Sequence, residues 1–257
     1  MKILVCIKQV PDMESRFKIN ATGNWYDPTD LAWRMNEYDE YAVEQGVQLK
    51  ESVGAAELVV VSIGPERVRE ALKKALAMGA DRGVHILDEA SHEKDPFAIA
   101  SILAAYGQGE GFDVIFTGMQ SQDRGSAQVG VLLAEMLRIS SVTTIVNFTA
   151  ESGSATVKRE LEGGLKAKVR VRLPALFTCQ LGLNTPRYPT LPNIMKAKKK
   201  ELVGIAVAEL RSVAPLSISE KIEFPAKKGS GLVLEGDIGV LADQLLAILK
   251  DKTTVLK

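Results

Sequence analysis

The stretch Leu58–Ile63 reads LVVVSI, a continuous apolar run that ends at Gly64. Similar short runs occur at Ile3–Ile7, Val84–Leu87 and Val114–Phe116, and segments with helical spacing separate them. Unbroken apolar runs of this length are typical of strands buried on both faces, and parallel strands are joined by crossover helices. The pattern therefore predicts an α/β fold with a Rossmann-like parallel sheet.

Three helices can be placed from their apolar spacing and their amino-terminal signals. The first is predicted to begin at Asp95 and Pro96, a cap and first-turn pair, and its apolar face is Ile99, Ile102, Leu103 and Tyr106. The second is predicted to start around Ser126, and its apolar face is Val129, Leu132, Leu133, Met136 and Leu137. The third begins near Asn36, where acidic residues suit the positive end of the helix dipole. These faces predict core packing.

The apolar period changes to two from Ala155 onward. After the pair Gly163-Gly164, basic and apolar residues alternate from Lys166 to Leu173, which predicts an antiparallel hairpin with one half-buried face. Its basic face is either a solvated sheet surface or a partner contact. From about Asn184 regular spacing is lost, and we expect an extended C-terminal arm that ends in a helix.

The predicted divisions are a nucleotide-binding domain at 1–185, a partner-recognition loop and basic segment at 186–203, and the arm at 204–257. An arm of this kind buries little apolar surface on its own chain. We therefore expect its apolar residues to pack on another subunit; they are Leu216, Ile218, Ile222 and Phe224.

The composition excludes several classes of protein. Lys plus Arg and Asp plus Glu both total 32, so a formal charge of zero gives no general reason to expect nucleic acid or an anionic membrane as a partner.

Cys6 and Cys179 lie in apolar runs and are predicted to be buried, reduced thiols. With no apolar run of membrane-spanning length, a cytoplasmic location is expected. His85 and His92 have no third ligand nearby in sequence, so no metal site is predicted.

The segment Thr117–Gly130 reads TGMQSQDRGSAQVG and joins a predicted strand to a predicted helix. In open α/β sheets ligands lie beyond the carboxyl ends of the strands, where a helix N-terminus offers free amides to an anion. Gly118 and Gly125 are expected to allow the turn. Because the segment is neither a Walker loop nor a GxGxxG fingerprint, it predicts either a phosphate site or a purely structural turn.

The segment Pro186–Lys200 reads PRYPTLPNIMKAKKK. Its prolines each fix one backbone dihedral angle, which lowers the ordering cost of presenting the segment to a partner. We expect either a docking loop with Leu191 exposed at its tip, or a solvated basic loop with Leu191 in the core. The lysines favour encounter with an acidic partner, more so at low salt; they are Lys196, Lys198, Lys199 and Lys200.

Several long motifs, in the same order, resemble the beta subunit of electron transfer flavoproteins. Pro186–Lys200 looks like its partner-recognition loop, Ala75–Gly83 reads ALAMGADRG, Arg159–Gly164 reads RELEGG, and ILVCIKQVPD is similar to the way that subunit begins. The resemblance covers essentially the whole chain. It departs from the family at Pro189, where alanine is expected, and at residues 124–127, where more acidic and amide residues are expected.

The resemblance implies an AMP at the carboxyl ends of the strands. The positions that it implies for AMP are Cys6, Asn36, Glu37, Tyr38, Asp39, Ile63, Gly118, Gln120, Gln122, Asp123, Gly125, Ser126, Ala127, Gln128 and Val129. Taken alone, Asn36 is explained as a helix cap. The resemblance also implies FAD held mainly by an alpha subunit, with Met13 and Tyr38 on the side that this chain closes; each is equally explained as ordinary interface or core.

The implied function is that of the beta subunit of a heterodimeric electron carrier of the non-bifurcating, AMP-containing type, with no catalytic residue of its own. It would dock acyl-CoA or similar flavin dehydrogenases and pass electrons toward a membrane quinone reductase, as in fatty acid beta-oxidation. The implied partner-binding residues are Leu191, Pro192, Ile194, Met195, Lys196 and Lys199.

One alternative function is that of a bifurcating complex with a second FAD in place of AMP, although LPNIMKAKKK looks like the non-bifurcating pattern. Another is a stand-alone adenine-nucleotide sensor of similar fold.

Overall fold

A computed structural model describes residues 1–226, 229 and 231–254 of the chain. The strands are β1 (Lys2–Cys6), β2 (Gln9–Pro11), β3 (Trp33–Met35), β4 (Glu57–Gly64), β5 (Arg82–Leu87), β6 (Val114–Gly118), β7 (Ser140–Glu151), β8 (Ser154–Glu160), β9 (Lys166–Arg172), β10 (Ala175–Cys179) and β11 (Glu201–Ala206). The helices are α1 (Glu37–Val53), α2 (Arg69–Met78), α3 (Pro96–Gly107), α4 (Val129–Leu137), α5 (Leu191–Ala197) and α6 (Ile238–Lys252).

Among the described residues, nine strands form one sheet in the order β11-β5-β4-β1-β6-β10-β7-β8-β9. Neighbouring strands from β11 to β7 are parallel, and β2 pairs with β3 in a separate antiparallel ribbon. The crossover helices connect the parallel strands, as the alternation of apolar runs and helical segments predicts. The predicted α/β fold class is confirmed.

The parallel strands bury both faces because alternate side chains point to opposite sides of the sheet. Ile3, Val5 and Leu58 pack on the side of α1 and α2. Leu4 and Val59, one residue away in each strand, pack with α3 and α4 on the other side. This two-sided burial explains why these strands read as continuous apolar runs.

The predicted hairpin is present as β8 and β9, which pair antiparallel across the turn at Gly163 and Gly164. The sequence did not predict β7, which begins parallel to β10 and continues antiparallel to β8. This twelve-residue strand therefore joins the parallel sheet to the hairpin.

Three segments differ from the sequence predictions. Helix α4 begins at Val129 and not around Ser126, because Ala127 has a left-handed backbone with φ of 53°. The segment at Leu191 is a short helix, capped by Thr190, where a loop was predicted. Strand β11 pairs in register with β5, so residues 204–206 of the predicted arm belong to the sheet.

The chain divides into two compact units, Met1–Lys221 and Ile222–Lys257. In the described part of the second unit, α6 is capped by Asp237, whose carboxylate accepts from the N–H groups of Gly239 and Val240 at 3.1 Å. None of the residues of α6 is buried, and Ile238 is 88% exposed.

Candidate functional site

A cavity opens where β1, β4 and β6 end. Strands β4 and β5 lie on one side of β1, and β6 and β10 on the other, so the order of the chain reverses between β1 and β6. In open α/β sheets this switch point is where ligands bind. The empty space of the cavity, counted together with the part that is open to solvent, is about 1150 Å³.

The structure brings most of the predicted AMP positions to this cavity. Those that line it are Cys6, Asn36, Asp39, Ile63, Gly118, Gln120, Asp123, Ser126, Ala127, Gln128 and Val129. Four others do not line it, namely Glu37, Tyr38, Gln122 and Gly125. The placement gathers distant parts of the sequence into one site, while contact of each residue with AMP stays a prediction.

Asp39 braces the two strands beside the switch point. Its carboxylate accepts from the backbone N–H of Lys8, just beyond β1, at 2.7 Å and from that of Gly118, at the end of β6, at 3.0 Å. Burial raises the pKa of Asp39 to about 7, although the two N–H donors favour the ionised form. Both carboxylate oxygens are thus engaged by the backbone, which makes Asp39 a structural brace for the cavity floor.

Gly118 allows α1 to approach the end of β6 closely. A Cβ atom there would lie 2.7 Å from Cβ of Tyr38, 3.0 Å from its carbonyl carbon, and against the Asp39 carboxylate. Atoms do not approach this closely in packed interiors, so a side chain would displace α1. Gly118 was expected to allow the turn, and the structure shows that its role is to leave room for α1. Gly125, with φ of 60°, provides the left-handed backbone of the turn.

Asn36 precedes α1 but its side chain does not cap the helix. Its amide group donates to the carbonyl oxygen of Gln120 at 2.9 Å and accepts from the N–H of Gln122 at 3.0 Å. The Gln122 side chain in turn donates to Glu37 at 2.9 Å. Residues at the start of α1 therefore hold the loop that leads to α4. Asn36 occupies the N-cap position of α1, as the cap interpretation predicts, but its side chain bonds to the loop and not to the helix.

The end of that loop offers free backbone donors. Among the described residues, the amides of Ser126, Ala127 and Gln128 have no acceptor, and all three residues line the cavity beside the amino terminus of α4. Unpaired amides at a helix N-terminus bind anions through hydrogen bonds and the helix dipole. This arrangement suits a phosphate group.

Gln9 adds an unpartnered acceptor to the cavity lining. Its side chain is 8% exposed and donates to the carbonyl oxygen of Arg67 at 2.9 Å. Its Oε1 atom has no partner among the described residues. Because buried polar atoms are nearly always hydrogen-bonded, this oxygen can accept from a donor in the cavity.

Sequence reasoning missed an aromatic and cationic side of the cavity. Trp25 packs against Tyr26 with ring centroids 4.7 Å apart and ring planes tilted by 34°, and the Arg124 guanidinium lies 4.5 Å from the Trp25 ring. Arg67 lies 3.5 Å from the ring of Trp33. The sequence did contain a signal for this side of the cavity. Aromatic residues are only 5% of the chain, yet both tryptophans lie in one short stretch before α1.

Lys8 and Asp123 form an ion pair of 2.6 Å in the cavity wall. Burial lowers the pKa of Lys8, and the attraction of Asp123 opposes the shift. Since each group already has a partner, the pair adds little net charge for a ligand.

The segment Pro186–Lys200, called the docking segment below, has apolar residues that the rest of the chain does not cover. Leu191 is 78% exposed, Met195 59% and Ile194 40%, so the structure favours the exposed alternative for Leu191. Pro192 lies in the first turn of α5, and Lys196 in its last. Met13, expected near the flavin, is 50% exposed and lies outside the cavity lining.

Other residues singled out in the sequence have structural surroundings. Cys6 and Cys179 are free and buried, as predicted, and burial raises the pKa of both thiols. His85 contacts the carbonyl oxygen of Gly64 at 2.9 Å inside the core. The described residues contain no cluster of His, Cys, Asp and Glu suited to a metal ion, and none of the helices among them has the length and apolarity to cross a membrane.

The chain is similar along almost its whole length to proteins named electron transfer flavoprotein subunit beta. It is 36% identical to that of Bacillus subtilis over 261 residues, which cover 100% of both chains, and 33% identical to that of Methylophilus methylotrophus over 98% of each. The profile of the family described as Electron transfer flavoprotein domain matches residues 24–210. The chain belongs to the electron transfer flavoprotein beta-subunit family. The family resemblance seen in the sequence is thereby confirmed.

A third relative in this family, from Bradyrhizobium diazoefficiens, is 38% identical over 247 residues, which are 95% of this chain and 97% of that one. These relatives are named as subunits of electron transfer flavoproteins, which are electron carriers. The expectation of an electron-carrier subunit is confirmed by these relatives.

Proposed function

We propose that the chain is the beta subunit of an electron transfer flavoprotein heterodimer of the non-bifurcating, AMP-containing type. FAD, held mainly by the alpha subunit, supplies the redox chemistry. The heterodimer accepts electrons from acyl-CoA or similar flavin dehydrogenases and passes them toward a membrane quinone reductase. It acts in the cytoplasm, as part of fatty acid beta-oxidation. The chain itself binds AMP structurally, closes one side of the flavin site and docks the dehydrogenase.

The observation that carries the AMP proposal is the row of free amides at residues 126–128 beside the amino terminus of α4. These donors would hold the phosphate group, with further stabilisation from the helix dipole. The adenosine part would extend past Cys6 and Ile63, at the ends of β1 and β4, where Oε1 of Gln9 lacks a donor. Both ends of a mononucleotide thus have matching groups in one cavity.

The identity of the nucleotide can be tested by denaturing the purified heterodimer and identifying what is released. One FAD and one AMP per heterodimer are expected. Gln9→Leu should lower the AMP content because the ligand loses an acceptor, whereas Gln180→Leu, which removes an amide bonded to Glu160 outside the cavity, should leave it unchanged. A preparation that releases no AMP contradicts the proposal.

The aromatic side of the cavity favours a second candidate, a bifurcating complex with a second FAD in place of AMP. Trp25, Tyr26 and Trp33 line the same cavity as the strand ends, so the cavity has an aromatic side in addition to the groups that a mononucleotide needs. Flat rings suit an isoalloxazine. Release of two FAD and no AMP from the heterodimer would decide for this candidate.

The contribution of the chain to the flavin site is proposed at Met13 and Tyr38. Tyr38 lies in the first turn of α1, where its hydroxyl accepts from the Gln120 side chain at 3.4 Å. A polarizable sulfur and an aromatic ring are suitable neighbours for a flavin.

The division of labour that we propose is a nucleotide-binding domain at residues 1–185, a recognition segment at 186–203 and an arm for the alpha subunit within 204–257, of which residues 204–206 belong to the sheet. Exposed apolar residues support the proposal for the arm, since monomeric proteins rarely leave many such residues uncovered. Among them are Leu216 and Ile218 in the first unit, each 75% exposed, and Phe224 in the second, 61% exposed.

Docking of the dehydrogenase is proposed through Leu191, Pro192, Ile194, Met195, Lys196 and Lys199. Exposed apolar side chains on α5 can enter a pocket of a partner, and a few such anchors carry most of the energy of a small interface. The neighbouring lysines would speed the encounter with an acidic surface.

A further inference from the structure

Helix α5 is too short to be stable by itself. It contains seven residues, whereas isolated helices shorter than about 12 residues are marginal in water because nucleation is costly. Its side chains contribute little core, since Ala197 is buried while Leu191 and Met195 are exposed. Helix α5 packs against α2 through Ala197, and contacts at the two ends of the segment add to this limited packing.

At the amino-terminal end, Arg187 is fixed to helix α1 by two carboxylates. Its guanidinium donates to both oxygens of Glu44, at 2.9 and 3.1 Å, and to both oxygens of Glu51, at 2.7 and 3.0 Å. The backbone N–H of Arg187 also donates to Glu44 at 3.1 Å. Glu44 is 3% exposed, so its bonds are shielded from water. Paired guanidinium–carboxylate bonds of this kind fix both position and orientation.

At the carboxyl-terminal end, Lys200 is fixed to helix α2. Its ammonium group donates to the carbonyl oxygens of Leu76 at 2.9 Å and of Ala80 at 2.5 Å, at and just beyond the last turn of that helix. A cation is stabilised there by the negative end of the helix dipole. Lys200 is thus engaged within the chain, unlike the free basic residue that the sequence suggests.

We infer that Arg187 is a positioning residue for α5: its contacts with Glu44 and Glu51, together with the bonds of Lys200, present Leu191, Ile194 and Met195 in a fixed arrangement to the partner. This inference rests on the proposed docking function. A segment that is ordered before binding loses less conformational entropy in the complex, so its affinity for the partner is higher.

The order of α5 can be measured by hydrogen exchange in the heterodimer. A single Arg187→Met change leaves Glu44 buried without its partner and can unfold the chain, so the double variant Glu44→Gln/Arg187→Met is the main test. We expect exchange of the amides at 193–199 to rise at least about tenfold, with little change in the other helices, because local opening becomes easier. Arg187→Lys should give an intermediate effect, since it keeps the charge and loses the paired geometry.

A matched control is Lys2→Met, which breaks an ion pair of 2.6 Å with Glu110 on the side of the sheet that carries α3 and α4. It should leave exchange in α5 unchanged. Unchanged exchange in the double variant would overturn the inference, and so would an equal rise throughout the protein, which indicates general destabilisation.

Kinetics then separate positioning from a merely structural role. With an acyl-CoA dehydrogenase and its acyl-CoA substrate as electron donor, the double variant should raise KM for the dehydrogenase roughly tenfold and leave kcat and the FAD content unchanged. Faster exchange with an unaltered KM would contradict the positioning role. If wild-type heterodimer accepts no electrons from the dehydrogenase, the proposed function fails, whereas the fixation of α5 by Arg187 is still decided by the exchange measurement.

Discussion

At the residue scale, Asp39 and Gly118 decide how closely helix α1 lies against the end of β6. The carboxylate accepts from the Gly118 N–H, and the glycine has no side chain to push the helix away. Asp39 also accepts from the N–H of Lys8, so one residue of α1 holds the ends of two parallel strands. The shape of the cavity floor therefore depends on the contacts of Asp39 and Gly118 within the chain.

The first prediction concerns Gly118→Ala. The added methyl group would overlap Tyr38 and the Asp39 carboxylate, and we expect the free energy of unfolding to fall by about 2 kcal/mol, a usual cost of overpacking. Gly204→Ala in β11 is the control, because the nearest atom to its new Cβ lies at 3.9 Å. Urea unfolding of both variants measures the difference. Equal stabilities would show that α1 does not pack on β6 as described.

The second prediction concerns the pH dependence that Asp39 imposes. Burial raises the pKa of its carboxyl to about 7 in the folded chain, above the ordinary value of 3.8. The folded state therefore binds the proton more tightly, and the contribution of Asp39 to stability is fully present below pH 3.8 and is lost as the pH rises through 7. Asp39→Asn does not titrate, so wild type should lose stability relative to this variant between about pH 4 and 7.

The measurement is urea unfolding of wild type and Asp39→Asn at several pH values across that range. The variant replaces one acceptor oxygen of the carboxylate by an amide group, so the change in the stability difference with pH, and not its size at one pH, reports the titration of the carboxyl. A difference that stays constant across the range would show that the Asp39 carboxyl titrates at its ordinary pKa.

At the scale of elements, sequence periodicity correctly predicted the helices and strands whose formation depends on local sequence. Asp95 caps α3 as predicted, and the apolar runs became buried parallel strands. Helix α5 was missed even though Thr190 and Pro192 are good signals for a helix start, because three prolines in seven residues suggested a loop. Strand β11 was missed because its partner, β5, is more than a hundred residues earlier.

For the site, the sequence indicated the loop before α4 but not the partners that shape it. The bonds from Asn36 to residues 120 and 122 join segments that lie far apart in the chain, and no local pattern encodes them. The same holds for Trp25 and Arg67, which reach the cavity only through the path of the loop between β2 and β3 and of the turn after β4. The family resemblance supplied the AMP positions that spacing alone did not.

The third prediction concerns the exposed leucine of α5. Leu191→Ala removes an apolar side chain that the chain itself leaves 78% exposed. We expect KM for an acyl-CoA dehydrogenase to rise roughly tenfold, equivalent to about 1.4 kcal/mol, with no loss of FAD. Leu165→Ala, at a remote and similarly exposed position, should leave KM unchanged. Unaltered transfer kinetics in Leu191→Ala would remove its proposed role as an anchor.

At the scale of the whole molecule, helix α1 connects two functional regions. Its first turn holds the loop beside the cavity through Asn36 and Glu37, and farther along it Glu44 and Glu51 hold the docking segment. A rigid helix of 17 residues thus fixes the distance between the proposed nucleotide and the proposed docking helix. Loss of the nucleotide would disturb the docking segment only if it moved α1 as a body.

The fourth prediction concerns the chain without an alpha subunit. Apolar side chains remain exposed in both units, among them Leu216 and Ile218 in the first and Phe224, Leu232 and Ile238 in the second. Surfaces of this kind are covered in a stable assembly or associate with one another. Size-exclusion chromatography should therefore show aggregates for the chain expressed alone and a one-to-one complex when the alpha subunit is co-expressed. A stable monomer that retains adenine nucleotide would instead support a stand-alone sensor, because such a protein needs no partner to cover its arm.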